Sequence, residues 1–284
     1  MPVLLSIGHG FSAQALTPLL LARGWRVIGT TRSPEKAAIL RDQGVEPVIW
    51  EGGDLPLEGV THLMSSVPPG ADGDPVLNAA SEQIAQASAQ FDWIGYHSTV
   101  GVYGDHAGGW VDEATPLTPS TRRGQARVEA EAAWGALASA HRLPLHYFRL
   151  AGIYGPGRGP FEKVRRGTAR RVIKPGQVFS RIHVADIAQV LLASIDRPDP
   201  GAIYNVCDDD PAPPQDVIGY AAELLGVPQP PEVYFETAEM SPMARSFYAE
   251  SKRVRNDKIK QDLGVELLYP DYRVGLRALL DQAG

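Results

Sequence analysis

The stretch "VLLSIGHGFSAQALTPLLLARG", Val3 to Gly24, decides the fold. Its first residues form a short apolar run that ends at a glycine, the pattern of a strand buried on both faces. A helix follows from Ser12, with Gly24 as its stop. Between the two lies Gly8-His9-Gly10-Phe11-Ser12-Ala13, a G-x-G-x-x-A turn in which each small residue has a task. Gly8 permits the tight turn, Gly10 leaves the backbone open to close approach, and Ala13 lets the helix pack tightly on the strand. The free N–H groups and positive end of such a helix attract a diphosphate.

Outward from this unit the alternation repeats. "WRVIGTT" (25–31) reads as a strand, and "SPEKAAILRDQG" (33–44) as a helix with Ser33 as N-cap and Pro34 at its first position. "VEPVIW" (45–50) and "THLMSS" (61–66) are further strands, Pro75–Gln90 an alanine-rich helix, and "FDWIGYHST" (91–99) a strand. A helix beginning near Thr121 and the strand "LPLHYFRLAGIYG" (143–155) complete the pattern. Strands alternating with helices predict right-handed βαβ units and a doubly wound, mostly parallel α/β sheet of the Rossmann type.

After Tyr154 the texture changes. "GPGRGPFEKVRRGTARRVIKPGQ" (155–177) is loop-rich and basic, "RIHVADIAQVLLASI" (181–195) reads as a helix, and "GAIYNVCD" (201–208) as a strand. Prolines cluster in "DDDPAPPQDV" (208–217) and "GVPQPPEV" (226–233). "RVRNDKIKQDLGVE" (253–266) and "PDYRVGLRALLDQ" (270–282) read as two closing helices. The expected division is a nucleotide-binding body of residues 1–153 with 182–206, and a smaller C-terminal lobe of 154–181 with 207–284.

Composition narrows the function classes. The chain has 284 residues, 44% of them hydrophobic and 21% charged, which describes a globular protein and not a disordered one. A net charge of −6 and the lack of aromatics among the basic residues argue against nucleic-acid binding. The single cysteine, Cys207, excludes an intrachain disulfide framework, and there is no ligand-spaced Cys/His cluster for a metal. No apolar run approaches membrane-spanning length, and "MPVLLSIGHG" has no basic region ahead of its apolar residues. Cytoplasmic localisation without membrane association is therefore expected.

The placement of the glycine turn on the first strand of a doubly wound chain points to a dinucleotide, with Gly8, Gly10, Phe11, Ser12 and Ala13 around its diphosphate. NAD selectivity calls for an acidic residue at the end of the second strand. Here that strand ends in "GTTRSPEK", with Arg32 where the acid would sit. An arginine suits a 2′-phosphate through forked, charge-assisted hydrogen bonds, so NADP(H) is expected. The bland alternative is an exposed loop arginine.

Four more segments occur in a telling order: "HSTVGVYGD" (97–105), "FRLAGIYGPGR" (148–158), "RIHVADIA" (181–188) and "AIYNVCDD" (202–209). With the glycine turn they resemble the extended short-chain dehydrogenase/reductases, the group that contains nucleotide-sugar epimerases and dehydratases. The resemblance spans almost the whole chain. Its details are similar to an atypical branch often described as epimerase-like. The resemblance implies a serine or threonine after the fifth strand, a Tyr-x-x-x-Lys pair on the next helix, and an asparagine on the helix before. Thr99 matches the hydroxyl position. Aligned through Glu131, which stands where the group has an acid four beyond the lysine, "STRRGQARVEAE" (120–131) puts Arg127 at the lysine and Arg123 at the tyrosine.

A guanidinium keeps its proton near neutral pH, so neither arginine can replace the tyrosine as acid or base. Arg127 could still hold ribose hydroxyls, and Arg123 could stabilise an anionic substrate or oxyanion. Alternatively both are surface charges, with Arg127 paired to Glu131. Counting back from Thr99 by the group's spacing reaches Asp74, a candidate proton carrier that is equally a good N-cap before Pro75. Ser65 and Ser66 fall where the group packs its cofactor. His97, on the same strand face as Thr99, reads as a buried, hydrogen-bonded histidine. Tyr154, Arg181 and His183 are candidate substrate contacts near the lobe junction; packing is the alternative for Tyr154, and helix capping for His183.

The segment Arg158–Lys174 carries seven Lys or Arg and one acid, Glu162. It corresponds to a part of the group's substrate lobe that contacts sugar-nucleotide diphosphates, so an anionic or nucleotide-sugar-like small molecule is the expected partner. The resemblance also implies a homodimer paired through two long central helices. Two functions remain open: an NADP-dependent oxidoreductase or epimerase with a degenerate Tyr-x-x-x-Lys site, acting on a sugar-like or anionic carbonyl compound, and a non-catalytic NADP(H) sensor.

Overall fold

The computed structural model describes residues 1–282. In chain order it contains β1 (Val3–Ile7), α1 (Phe11–Leu21), β2 (Arg26–Thr31), α2 (Pro34–Asp42), β3 (Glu46–Ile49), β4 (His62–Ser65), α3 (Pro75–Gln86) and β5 (Trp93–Thr99). Then come β6 (Trp110–Val111), α4 (Arg122–His141), β7 (Leu145–Leu150), β8 (Gly152–Tyr154), α5 (Phe161–Arg165), β9 (Arg171–Ile173), β10 (Arg181–His183) and α6 (Val184–Asp196). The remainder is β11 (Ile203–Val206), α7 (Pro214–Leu224), β12 (Glu232–Tyr234), α8 (Pro242–Phe247), β13 (Arg253–Val254), α9 (Asp257–Gln261) and α10 (Tyr272–Asp281).

Seven strands form one sheet in the order β3-β2-β1-β4-β5-β7-β11, and every pairing in it is parallel. Consecutive parallel strands need crossovers, which the helices supply on both faces. Along β1, Leu4 packs into the cluster beneath α1 and α6, whereas Val3, Leu5 and Ile7 pack into the one beneath α3 and α4. This alternation is why the strand reads as continuously apolar. The chain leaves β1 towards β2 on one side and later returns to place β4 on the other. Ligands of such sheets bind in the crevice at the strands' carboxyl ends, where the order reverses.

A third cluster gathers Tyr154, Phe161, Val164, Val217, Tyr272 and Leu276, joining α5, α7 and α10. Three short parallel pairs, β8–β10, β9–β12 and β6–β13, stand outside the main sheet.

Several boundaries differ from the sequence expectation. The first helix begins at Phe11 with Gly10 as its cap. The run from Arg181 opens as a strand, because Arg181–His183 pair with Gly152–Tyr154, and its helix starts only at Val184. The strand expected over 143–155 is divided into β7 and β8. The helix expected to Gln90 ends at Gln86, with a 3₁₀ turn over Ser88–Gln90. "RVRNDKIKQDLGVE" yields only the short α9, since Arg253–Val254 pair with Trp110–Val111. Local periodicity cannot foresee a strand recruited by a distant partner.

Candidate functional site

One cavity of about 1220 Å³ opens at the carboxyl ends of β1, β4 and β5 and runs on between β8, α5, α7 and α8. Gly8, Gly10, Phe11, Ser12 and Ala13 line its first part. Gly8 has φ +75°, and a Cβ there would lie 2.9 Å from Val67 Cγ2, so only glycine makes this turn without strain. Gly10 caps α1, and no side chain bonds the helix's first N–H groups. Those donors face the cavity beside the positive helix end, which fits a diphosphate. The residues present therefore match a bound dinucleotide. Arg158, whose guanidinium lies 5.6 Å from the Phe11 ring centre, adds a cation at the same place.

Arg32 follows directly on β2, exposed and without an ion-pair partner among the described residues, and it stands away from the cavity wall. Ser66 reaches the wall and donates to or accepts from His97 Nδ1 at 3.0 Å. Ser65 does not reach it: it is fully buried beneath, its hydroxyl unpartnered, which corrects the expectation of a cofactor contact.

The second part of the wall is built by β5 and α4. Thr99 ends β5 and its hydroxyl accepts from Gly101 N at 3.2 Å, while Thr121 caps α4 by accepting from Gly124 N at 3.1 Å. Between the two arginines sits Gly124, where a Cβ would lie 2.8 Å from Gly101 O. Its absence lets α4 close on the loop after β5, which brings Thr99, Arg123 and Arg127 onto one cavity wall.

The alternative that paired Arg127 with Glu131 is not what the structure holds. Arg127 Nη1 donates to His97 O at 2.7 Å and to Tyr96 Oη at 3.0 Å, leaving the rest of its guanidinium towards the cavity. Glu131 is instead buried and pairs with Arg149, at 2.8 Å to Nη2 and 3.1 Å to Nε, and accepts from Ser98 at 2.5 Å. Arg149 continues the network to Tyr103, which donates to Asn205. The Tyr103 phenol is pushed up to about 12 by burial. Arg123 has no hydrogen bond or carboxylate partner among the described residues; its guanidinium lies 4.9 Å from the Phe247 ring centre.

Asp74 is not a cleft acid. It is buried off the cavity wall, one carboxylate oxygen accepts from Val76 N and Leu77 N at 2.9 and 3.2 Å, and the other accepts from the Trp134 indole at 3.1 Å. Both oxygens are occupied with structure, so the N-cap reading holds and the proton-carrier reading is withdrawn. His97 is buried with Nε2 unpartnered, and burial, helped by the Arg127 charge, lowers its pKa to about 3. It remains a neutral imidazole at any physiological pH.

Towards the third hydrophobic cluster, Tyr154 and Arg181 line the cavity. Burial and the Asp208 charge raise the Tyr154 phenol far above its ordinary value. Arg181 Nη1 donates to Phe179 O and Ala212 O at 2.8 and 3.0 Å. Close by, Asp208 is buried with neither oxygen hydrogen-bonded, and its carboxyl is pushed up to about 8 by burial against the opposing pull of Arg181. His183 does not line the cavity. Its Nδ1 caps α6 by accepting from Ala185 N at 3.2 Å, and its ring packs 3.9 Å from that of Tyr269, so capping replaces the expected substrate contact. Lys163 and Arg170 of the basic segment reach the wall, as do Phe179, Phe247, Tyr248 and Lys252, which sequence reasoning missed. The Ser241-Pro242 pair announces α8 as a capped helix, but nothing local says that this helix covers a cavity.

Among the described residues no His/Cys/Asp/Glu group could hold a metal, and no helix is long and apolar enough to cross a membrane.

The model of the NAD dependent epimerase/dehydratase family matches residues 5–207. Protein YeeZ of Escherichia coli (strain K12) is 30% identical, over 93% of this chain and 95% of its own length. The structure of a functionally unknown conserved protein from Silicibacter pomeroyi DSS is 61% identical, with a TM-score of 0.96 and 99% of each chain covered. UDP-glucuronic acid 4-epimerase from Bacillus cereus, solved with UDP-glucuronic acid and NAD, is 16% identical with a TM-score of 0.79, covering 99% of this chain and 100% of its own; it shares the fold.

Proposed function

The chain belongs to the NAD dependent epimerase/dehydratase family, and from that premise we propose that it is an NADP(H)-dependent oxidoreductase or epimerase with a degenerate Tyr-x-x-x-Lys site, acting on an anionic carbonyl compound. One observation carries the reading: a single cavity runs from the glycine turn, past Thr99 and Arg123, into a chamber reached by Lys163, Arg170 and Arg181, none of which has a carboxylate within 4.0 Å among the described residues. Residues 154–181 with 207–284 act as the substrate lobe.

The open N-terminus of α1 holds the diphosphate, Arg127 the adjacent ribose, and Arg32 the 2′-phosphate. When bound, the dinucleotide supplies the hydride or accepts it. Thr99 orients the substrate oxygen, and Arg123 stabilises the negative charge that develops there. Neither arginine can release a proton near neutral pH, so proton exchange passes through the Thr99 hydroxyl or water in the cavity. A second reading, an NADP(H)-binding sensor without turnover, is favoured by the commitment of Asp74 to its helix cap and by the low proton affinity of His97.

The test is a titration with NADPH and NADH, read by tryptophan fluorescence, on wild type and Arg127→Ala, followed by a turnover screen of carbonyl compounds. Tighter NADPH binding, weakened in the variant, together with turnover is the expected result. Binding without turnover over a broad screen would select the sensor. Failure of either dinucleotide to bind would overturn both.

A further inference from the structure

Beyond Thr99 and Arg123 the cavity widens into a chamber whose walls differ from those a sugar requires. This inference rests on reading that chamber as the substrate site. A polyol buried in protein needs side chains that accept and donate around each hydroxyl, because a hydroxyl removed from water without a partner costs free energy. Among the described residues the cavity wall has no Asn, Gln or Asp. Of its two glutamates, Glu250 already holds Lys252 at 2.8 Å and Ser120 at 2.7 Å, which leaves Glu239 as the one wall carboxylate without a hydrogen bond or ion pair among the described residues.

The serine and threonine hydroxyls on this side are likewise engaged with backbone. Thr168 donates to Lys163 O, Ser180 accepts from Val254 N, Ser241 caps Ala244 N, and Ser246 donates to Met243 O. Tyr154 donates to Asp271 O at 3.5 Å, while the Tyr248 and Tyr272 phenols have no hydrogen bond among the described residues. Between them the wall carries Val172, Val178, Val217 and Leu276 and the rings of Phe179 and Tyr248. The two aromatic rings meet edge to face at 5.4 Å. Phe247 stays 51% exposed at the cavity wall, with the Arg123 guanidinium beside its ring. A half-open aromatic ring next to an unpaired planar cation accommodates a flat ring carrying negative charge.

The charge pattern agrees. Arg123, Lys163, Arg170 and Arg181 all reach this chamber, and none has a carboxylate within 4.0 Å among the described residues. Unpaired cations around an apolar pocket select an anionic group on an apolar body.

We infer that the chamber takes a flat, apolar anion, an aromatic or conjugated carboxylate, in preference to a sugar nucleotide. Arg123 and Phe247 together set that specificity, one reading the charge and the other the ring.

The experiment is calorimetric titration of the full chain, with and without saturating NADP⁺, using 2-naphthoate, its uncharged counterpart 2-naphthalenemethanol, and UDP-glucose. The expected result is that 2-naphthoate binds about tenfold or more tighter than either of the others. Phe247→Ala, at a half-exposed position, should weaken 2-naphthoate about fivefold. Arg123→Met should weaken 2-naphthoate and leave the alcohol unchanged. UDP-glucose binding as tightly as 2-naphthoate, or no 2-naphthoate binding at all, would overturn the inference. Dinucleotide binding is read in its own titration. Its absence would remove the oxidoreductase reading, whereas the ranking of the three probes decides the ligand class in either case.

Discussion

Replacing Glu131 with alanine should destabilise the fold far more than any surface charge on the same helix. Its carboxylate lies at 8% side-chain exposure against Arg149 at 3%, with contacts of 2.8 and 3.1 Å, and it accepts a further bond from Ser98. Removing one member of a buried pair leaves the other charge uncompensated, which costs about 3–5 kcal/mol. An exposed i,i+4 pair of the kind the sequence suggests for Arg127 and Glu131 is worth only about 0.2–0.5 kcal/mol. The two accounts differ about tenfold in energy, so the experiment separates them cleanly. Urea unfolding followed by tryptophan fluorescence measures the loss. A cycle of Glu131→Leu and Arg149→Met then tests the partner: the double variant should lose less than the sum of the singles by about 1–3 kcal/mol. Arg127→Ala should add independently to Glu131→Ala. A loss below about 1 kcal/mol for Glu131→Ala, or coupling to Arg127 in place of Arg149, would refute the buried-pair assignment.

Arg32→Ala should weaken NADPH binding by about tenfold or more and leave NADH nearly unchanged, since only the phosphorylated ribose offers the arginine a dianion; equal losses in the paired titrations would remove the 2′-phosphate role. Asp74→Ala should cost about 2–4 kcal/mol of stability, the sum of a lost helix cap and an orphaned Trp134 indole, with dinucleotide affinity intact; a variant that folds normally but loses turnover would restore Asp74 as a proton carrier. His97 is held neutral in the fold with a pKa of about 3, whereas the unfolded chain takes up the proton near pH 6.5, so the stability it contributes is complete above pH 6.5 and is lost as pH falls towards 3. His97→Gln should therefore reduce the loss of stability between pH 7 and pH 4.5 by about 2–3 kcal/mol, and urea midpoints with the same pH dependence as wild type would contradict the burial assigned to this ring.

What the sequence makes legible here follows from the range of the interactions involved. The glycine turn, the alternation of strand and helix, the cap at Ser33 and the helix start near Thr121 are each set within a few residues, and they stand where the pattern puts them. Glu131 shows the limit. Counting four residues back to Arg127 is the only rule a lone helix offers, but its partner Arg149 lies 18 residues on, in a strand whose register beside β5 decides the pairing. Asp74 repeats the lesson across 60 residues, because its second oxygen is claimed by Trp134 on another helix. His183 could be read as a cap or as a ligand until the strand at Arg181–His183 fixed which way its ring points.

The cavity wall is the extreme case. Phe247 stands 124 residues after Arg123 in the chain, yet the two are neighbours on one surface. The resemblance puts Arg123 and Arg127 where the group has its Tyr-x-x-x-Lys pair, and that placement reads locally as the loss of an acid and a base. Beside Phe247 and the unpaired cations of the chamber, Arg123 supplies a permanent charge at the wall. A fixed cation favours a substrate or product that is itself an anion, and it does so without titrating in the physiological range. Reactions at this site should therefore show a flat rate profile between pH 6 and 9 wherever the arginine, and not a proton transfer, carries the charge stabilisation; a steep limb in that range would point to Asp208 beside Arg181, with its carboxyl pushed up to about 8 by burial.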